Sequence, residues 1–236
     1  MSKVLGINAR NLLYIKPSLT KRVARILDNK ILTKKTLAKV GIPVPKTFAA
    51  ISSAKELSEF VGEDLPSSFA LKPNRGLGGE GILIIFGRKK ENGQNIPAIG
   101  ISDPVSSRIM RIFAKQTREP TWVKADGSTI ALSDIKNHIL NILDGTFSLG
   151  NFPDTAFFEE RIKILKLFKN YSYKGIPDIR VIVYNSIPVM AELRIPTKES
   201  DGKANLHLGA IGAGIDMGSG TTTHAVHHDR AISYLP

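Results

Sequence analysis

A glycine-rich loop with a lysine on its entering side offers the clearest chemistry in the chain. The loop lies in the stretch from Phe69 to Phe86, and Lys72 precedes its four glycines, Gly76, Gly78, Gly79 and Gly81. Glycine has no Cβ and tolerates positive φ, so the backbone N–H groups of such a loop can approach an anion closely. An ammonium group beside them adds positive charge. The combination suits a polyphosphate.

The same glycines match a dinucleotide-binding motif, but their context differs from that fold. Gly76, Gly78 and Gly81 satisfy G-x-G-x-x-G, which is followed there by a helix whose N-terminus holds the pyrophosphate. Here a short apolar, β-branched run from Ile82 to Phe86 follows, which predicts a strand. The Walker spacing is absent too, because Lys72 precedes the loop. The stretch therefore predicts a hairpin flap, with a plain flexible hairpin as the alternative.

Composition bounds the class of protein. The chain has 236 residues and 42% hydrophobic content, enough for one packed domain or two small ones. It contains no apolar run of membrane-spanning length, and Met1 to Arg10 lacks a signal-peptide core, so no membrane span and no export are predicted. Zero cysteines exclude disulfides and thiolate metal sites. We expect a cytoplasmic protein.

The net charge of +12 indicates an anionic partner. Seven lysines and arginines lie between Lys3 and Lys30 against one acid, Asp28, although a solvated basic face explains such a run equally well. A basic nucleic-acid binder is one alternative class. Only 7% of residues are aromatic, and no block of stacking aromatics occurs, which argues against nucleic acid.

Capping residues predict three helices around the flap. Asp28 is the predicted N-cap of a helix that ends at Gly41. Ser53 and Glu56 form a capping box for a second, short helix. Ser133 is the predicted N-cap of a third helix, in which His138 would be a surface or boundary residue.

Turn residues predict two further hairpins and one long loop. The tight turns are expected at Asp126-Gly127 and at Asn185-Ser186. Residues Lys198 to Thr223 are rich in Gly, Ser, Thr and Asp, which predicts a loop.

A histidine-rich segment near the end has two interpretations. His224, His227, His228 and Asp229 could bind a divalent metal. Ordinary alternation along a strand explains them as well, and we assign no metal ligand.

The order of these features resembles the ATP-grasp superfamily. It is most similar to α-L-glutamate ligase-like proteins, a group related to the ribosomal-protein glutamate ligases and to sugar-transfer-associated members. Six segments carry the resemblance: Asp28-Asn29-Lys30, Lys72 to Ile82, Phe158 to Ile162, Gly175 to Val181, Ala191 to Pro196, and Gly202 to Ala210. The resemblance implies an α+β fold in which two α+β lobes hold a nucleotide between them, with the C-terminal part incomplete.

The resemblance also implies roles for residues of the first lobe and the hinge. Lys30 and Lys72 would reach the α- and β-phosphates of ATP, and the flap glycines would close over the phosphates. Glu159, Glu160 and Ile162 lie in the segment that resembles the family's hinge, where backbone groups pair with adenine.

In the second lobe the resemblance implies catalytic arginines. Arg180 and Arg194 would face the transferring phosphoryl group and the acyl phosphate, and Asn205 would lie near the phosphates. Arginine suits this role because its planar, permanently charged fork binds phosphate oxygens bidentately. The alternative for Arg194 is an ordinary ion pair with Glu192 or Glu199.

The implied activity is an ATP-dependent carboxylate–amine ligase that works through an acyl phosphate and resembles glutamate ligases. In the family, magnesium (Mg²⁺) is held by an Asp and by a Glu-x-Asn block beyond the Asn205 region. Neither occurs before Pro236. We therefore expect a chain cut short, with a non-catalytic ATP/ADP-binding protein as the alternative.

The predicted organisation has three parts. Residues 1–27 form a basic segment, residues 28–157 the first lobe with an insertion at about 87–120, and residues 158–236 the hinge and part of the second lobe. The predicted partners are small-molecule or peptide carboxylates and amines, and the sequence predicts no oligomeric state.

Overall fold

Two compact units make up the protein, Met1–Arg161 and Ile162–Pro236. The computed structural model describes residues 6–62, 64–89, 119–124 and 126–233. Most of the predicted insertion at 87–120 lies outside the described residues. Among the described residues, no helix combines the length and the apolar character that a membrane crossing requires.

The first unit begins with a helical stretch and continues with longer helices. Its helices are Ile7–Ala9 (α1), the π-type turn Arg10–Ile15, Lys16–Ser18 (α2), Lys21–Leu27 (α3), Lys30–Lys39 (α4), Ala54–Glu59 (α5) and Leu132–Leu143 (α6). Helices α1 to α3 bury no side chain, and their basic residues are exposed. This exposure matches the solvated basic face.

Helix caps match the predictions at one of three positions. The Ser53 side chain accepts from the Glu56 N–H, as predicted. The Glu56 carboxylate accepts from the Ser52 N–H and not from that of Ser53, so only half of the predicted capping box is formed. The other two predictions are wrong by one or two residues. Asn29 caps α4 in place of Asp28, because Asp28 already closes α3. Helix α6 begins at Leu132, and the Ser133 hydroxyl donates to Glu119.

The sheet of the first unit is antiparallel, and six of its strands lie in the described residues. They are Thr47–Ile51 (β1), Phe69–Pro73 (β2), Leu83–Arg88 (β3), Thr121–Lys124 (β4), Thr129–Ala131 (β5) and Ala156–Glu159 (β6). The order is β1-β6-β2-β3-β4-β5, so β6 lies between β1 and β2. The predicted flap hairpin is formed by β2 and β3, and the predicted Asp126-Gly127 turn joins β4 to β5.

The core of this unit forms where α6 covers the sheet. Ile135, Ile139 and Ile142 recur at spacings of four and three, which puts them on one face of the helix. All three are fully buried, together with sheet residues such as Phe69 and Phe158. The two phenylalanine rings meet edge-on, with centroids 5.3 Å apart. This packing holds β2 and β6 in place beside each other.

The second unit contains a five-stranded antiparallel sheet in its described residues. Its strands are Asp178–Tyr184 (β7), Ile187–Ile195 (β8), Ile211–Ile215 (β9), Thr222–His227 (β10) and Arg230–Ile232 (β11), in the order β11-β10-β9-β8-β7. The predicted turn at Asn185-Ser186 is present, with φ of 48° and 64°. The loop predicted at Lys198 to Thr223 is partly wrong, because β9 pairs with β8 and β10.

Removing a buried contact of α6 should destabilise the first unit. Ile139 is 0% exposed, so Ile139→Ala leaves a cavity and should lower the free energy of unfolding by about 2–4 kcal/mol. Leu140 is 39% exposed on the same helix, and Leu140→Ala should cost less than about 1 kcal/mol. Urea denaturation followed by circular dichroism measures both. Equal losses in the two variants would contradict this packing.

Candidate functional site

A buried carboxylate shared by two lysines lies at the centre of the first unit's polar cluster. Glu159 is 4% exposed. Its Oε1 atom lies 2.5 Å from Lys72 Nζ, and its Oε2 atom lies 2.6 Å from Lys34 Nζ. Register explains the first contact: Glu159 pairs with Ala70, and side chains two apart on a strand share a face. Lys72 is therefore its diagonal neighbour across the strands.

Lys30 lies close to this cluster at the start of α4. Its Nζ atom donates to the carbonyl oxygen of Gly76 at 2.6 Å and to that of Asn74 at 3.2 Å. Burial lowers the pKa of Lys30, the charge of Asp154 opposes this effect, and the positive charge of Lys72 adds to it. Lys30 therefore contacts the entering side of the flap, and Lys72 precedes it on β2.

The entering side of the flap is fixed by backbone and side-chain hydrogen bonds. The Asn74 side chain accepts from the Ile31 N–H at 2.9 Å, which satisfies a free donor of the first turn of α4. The Asp154 carboxylate accepts from the Arg75 N–H at 2.7 Å. These bonds fix the loop where Lys30 contacts it.

The returning side of the flap is fixed by Gly81. Its φ is +70°, and a Cβ there would lie 2.5 Å from Cγ of Phe147. The Gly81 carbonyl oxygen lies 2.9 Å from Nε2 of His138 on α6. Between the two sides, Gly78 and Gly79 have positive φ, and a Cβ on either would have no neighbouring atom within 4 Å. The flap therefore has a fixed base and an open tip.

Sequence reasoning did not single out Lys34, Asn74 or Asp154 as residues of this cluster. It named His138 but did not predict its contact with the flap. Lys34 follows Lys30 by one helical turn, a spacing that puts both on one face of α4. His138 is half-buried, as a boundary residue should be, but its hydrogen bond to the flap has no local sequence pattern. The contact between His138 and the flap arises from the packing of α6 on the sheet.

The predicted hinge residues are only partly brought to the lysines. Glu159 contacts Lys72 and Lys34 through its side chain. The Glu160 side chain is exposed, and its N–H donates to the Lys46 carbonyl oxygen at 2.8 Å. Ile162 is exposed and belongs to the second unit. The pairing of hinge backbone with adenine stays a prediction.

In the second unit, strand alternation groups the charged side chains on one face of the sheet. Arg180 of β7 pairs with Glu192 of β8, and Asp178 pairs with Arg194. Arg194 makes a bidentate ion pair with Asp178, through Nε at 2.6 Å and Nη2 at 2.7 Å. This hydrogen-bonded pair raises the pKa of Arg194. Arg194 is thus in an ordinary ion pair, as the alternative interpretation predicted, but its partner is Asp178 and not Glu192 or Glu199. The charge of Glu192 also contributes to the raised pKa of Arg194.

Arg180, Arg194 and Asn205 line a single cavity of about 350 Å³. On β9, Gly214 pairs with Glu192 and Gly212 pairs with Arg194. The Leu206 side chain lies over Gly212, and the Thr223 hydroxyl lies over Gly214, so a larger residue at either position would meet them. Asn205 accepts from the His207 N–H at 3.1 Å, which leaves its amide group as a donor. Arginine and amide donors around a cavity suit an oxyanion.

The histidine segment forms a cluster with a residue that the sequence did not single out. His227 and His228 contact Glu199, and the His228 hydrogen bond lowers the pKa of Glu199. His224 and Asp229, the other two candidates, are not in this cluster. The ligand atoms of Glu199, His227 and His228 lie within 4.8 Å of one another, close enough to share a metal ion.

Comparison with protein families decides the class. A family model described as sugar-transfer associated ATP-grasp matches residues 9–115 and 109–236. The chain belongs to this ATP-grasp family. Neither a curated protein nor a solved structure matched the chain. Membership confirms the predicted superfamily and its α+β fold, and it indicates that the chain binds ATP. The match gives no substrate.

Removal of the shared carboxylate should weaken the fold of this ATP-grasp protein. Glu159→Gln leaves Lys34 and Lys72 without their counter-ion. We expect a loss of about 3 kcal/mol in the free energy of unfolding, at the lower end for a broken buried pair because both lysines keep some water contact. Glu160→Gln, at the exposed neighbouring residue, is the matched control and should lower the free energy of unfolding by less than about 0.5 kcal/mol. Chemical denaturation measures both variants. If Glu159→Gln unfolds with the same free energy as the wild type, Glu159 has no structural role.

Proposed function

We propose that this ATP-grasp protein is a carboxylate–amine ligase that activates the carboxylate as an acyl phosphate, in the manner of glutamate ligases. The observation that carries the proposal is that Lys30 Nζ donates to the Asn74 and Gly76 carbonyl oxygens at the base of the glycine flap, which strand β2 enters with Lys72. The resemblance to the ATP-grasp superfamily implies both lysines as phosphate ligands. The family membership supports ATP as the phosphate donor.

Three ammonium groups of the first unit, those of Lys30, Lys34 and Lys72, lie near the Asp154 and Glu159 carboxylates. The charge of Asp28 also acts on Lys30, so the three positive and three negative charges balance. A polyphosphate would therefore have to take Lys72 and Lys30 from their present partners. The N–H groups of Gly78 and Gly79 would add uncharged hydrogen-bond donors. In this proposal ATP takes Lys72 and Lys30 as its phosphate ligands, while Lys34 stays with Glu159.

The proposed reaction has two steps. An oxygen of the substrate carboxylate attacks the γ-phosphorus of ATP, which forms an acyl phosphate and releases ADP. The amine then attacks the acyl carbon, loses a proton and displaces inorganic phosphate to give the amide. Arg180 and Arg194 would neutralise the charge that develops on the phosphoryl oxygens, and the Asn205 amide would donate a hydrogen bond to them.

No magnesium ligand is assigned in this chain. Magnesium in nucleotide sites takes one or two protein carboxylates together with phosphate and water oxygens. The cluster found in the described ranges has two imidazoles and one carboxylate. The proposed roles above therefore involve only the lysines, arginines and amides of this chain.

The second candidate is an ATP- or ADP-binding protein without turnover. The two candidates share the lysine site and differ in ADP release. Incubation with ATP, glutamate and a panel of amino acids as amines should release ADP under the first candidate. ATP binding by calorimetry without ADP release under any of these conditions supports the second.

Loss of Lys72 should remove most of the affinity for ATP. Lys72→Ala takes away one of the two proposed phosphate ligands, and we expect the Kd measured by calorimetry to rise at least about tenfold. Lys55→Ala serves as the control, since Lys55 is exposed on α5, and its Kd should match the wild type. Equal affinity in the two variants would refute the site.

Lys34→Ala separates phosphate binding from the ion pair. Lys34 and Lys72 both contact Glu159, so both variants should lose stability in urea. Only Lys72→Ala should lose ATP affinity. If the two variants lose ATP affinity equally, Lys72 acts through the fold and the proposed contact with phosphate is wrong.

Arg194 should affect turnover more than nucleotide binding. Arg194→Lys keeps the charge but loses the fork that binds phosphate bidentately, so we expect kcat to fall about 10- to 100-fold with the ATP Kd unchanged. Arg230→Lys, on an exposed residue of β11, is the control. ADP release measured under saturating ATP reports kcat. An unchanged kcat in Arg194→Lys would exclude a catalytic role for its guanidinium.

A further inference from the structure

Two consecutive histidines point at one carboxylate near the end of the second sheet. Strand β10 ends at His227, and His228 and Asp229 form the turn to β11, with φ of 46° and 60°. Consecutive side chains of a strand normally project to opposite faces. The left-handed φ at His228 changes the direction of the chain, and both imidazoles contact Glu199.

The ligand atoms are already close together. Nε2 of His227 lies 3.2 Å from Oε2 of Glu199, and Nε2 of His228 lies 2.5 Å from the same oxygen. Ligands at about 2.0–2.1 Å from a tetrahedral ion lie about 3.3–3.4 Å from one another. The distance between His227 and Glu199 already fits this spacing, and the distance between His228 and Glu199 must widen by less than about 1 Å. The His228 and Glu199 side chains are 54% and 61% exposed, so that movement meets little resistance.

The backbone that carries Glu199 is fixed. Thr197 and Ser200 flank it and exchange hydrogen bonds through their hydroxyl groups, at 2.9 Å and 3.2 Å. The Gly209 carbonyl oxygen accepts from Thr197 Oγ1 at 2.6 Å, which ties the Glu199 turn to the start of the loop before β9. The same carbonyl lies 3.0 Å from His227 Nε2, and a metal bound to that nitrogen would replace this hydrogen bond. The ligands come from two segments that the fold already holds together.

Two imidazoles and one carboxylate form a donor set for borderline divalent metals. Imidazole suits Zn²⁺, Ni²⁺ and Cu²⁺, whereas Mg²⁺ and Ca²⁺ prefer oxygen ligands alone. We propose that Glu199, His227 and His228 bind a divalent transition metal such as Zn²⁺. None of the three ligands is a residue proposed to contact phosphate, so metal binding can be tested without the ligase reaction.

The site would leave at least one coordination position for another ligand. Three protein ligands on a four-coordinate ion leave the fourth position to water or to another oxygen donor. His228 also lines the cavity that holds Arg180 and Arg194. The metal would therefore lie at the rim of that cavity, and its open position would be accessible to an oxyanion bound there.

Metal titration of the tag-free chain tests the site. Zn²⁺ titrated into the protein by calorimetry should give one site per chain. Co²⁺ should give visible absorption bands of a low-symmetry complex. We expect His228→Asn and Glu199→Gln each to weaken the Kd at least about tenfold. His224→Asn is the matched control, because His224 is exposed on the same strand and outside the cluster, and its Kd should equal that of the wild type.

Three outcomes would overturn the proposal. The wild type could fail to bind Zn²⁺ with a Kd below about 100 μM. The His228 and Glu199 variants could bind as tightly as the wild type. The His224 variant could lose as much affinity as they do, which would indicate diffuse binding to surface histidines. Circular dichroism of both cluster variants distinguishes lost ligands from lost folding, and a folded variant with lost affinity supports the site.

Discussion

The contact on which the first unit most depends is the buried carboxylate of Glu159 between two lysines. A charge in this position is costly unless it is paired, because water no longer solvates it. Lys34 comes from α4, Lys72 from β2 and Glu159 from β6. The same three side chains therefore fix a helix and two strands relative to one another. The proposed phosphate ligand Lys72 is held in place by a residue that has no contact with phosphate in the proposal.

The flap is organised from the same elements. Helix α4 carries Lys34, and at its N-terminus Lys30 and Ile31 contact the entering side of the loop. Helix α6 reaches the returning side through His138. Hydrogen bonds hold both ends of the loop, while at its tip Gly78 and Gly79 adopt positive φ with open space where a Cβ would lie. Closure over a ligand would then need little ordering of the base, which reduces the entropic cost of binding.

Local patterns predicted local structure, and longer-range contacts were missed for identifiable reasons. The flap hairpin follows from glycines between apolar runs, and the predicted lysines follow from family order. The cap at Asp28 was wrong because Asp28 and Asn29 are both good N-caps, and only the end of α3 decides between them. Strand β9 was missed because its Gly-Ala-Gly centre has low β propensity, and pairing with β8 and β10 overrides that preference.

The partner of Arg194 depends on a single irregularity in the β7–β8 hairpin. At the turn, Tyr184 pairs with Ile187, a register that would put Asp178 opposite Leu193. The register shifts between Ile182 and Val183, because Val189 is left without a partner beside Pro188, which has no N–H to donate. That one-residue shift puts Asp178 opposite Arg194. A slip of one residue would send the arginine to the other face of the sheet.

Pairing in this register sets how the cavity can receive an anion. Arg180 faces Glu192 across the strands, and Arg194 is bound bidentately by Asp178, so each arginine already has an acid nearby. An oxyanion at Arg194 must share the guanidinium with Asp178 or replace it. Arginine has five N–H donors and Asp178 takes two of them, so sharing is geometrically possible and avoids the cost of leaving Asp178 unpaired. Asp178 would then act as the group that orients Arg194 towards the cavity.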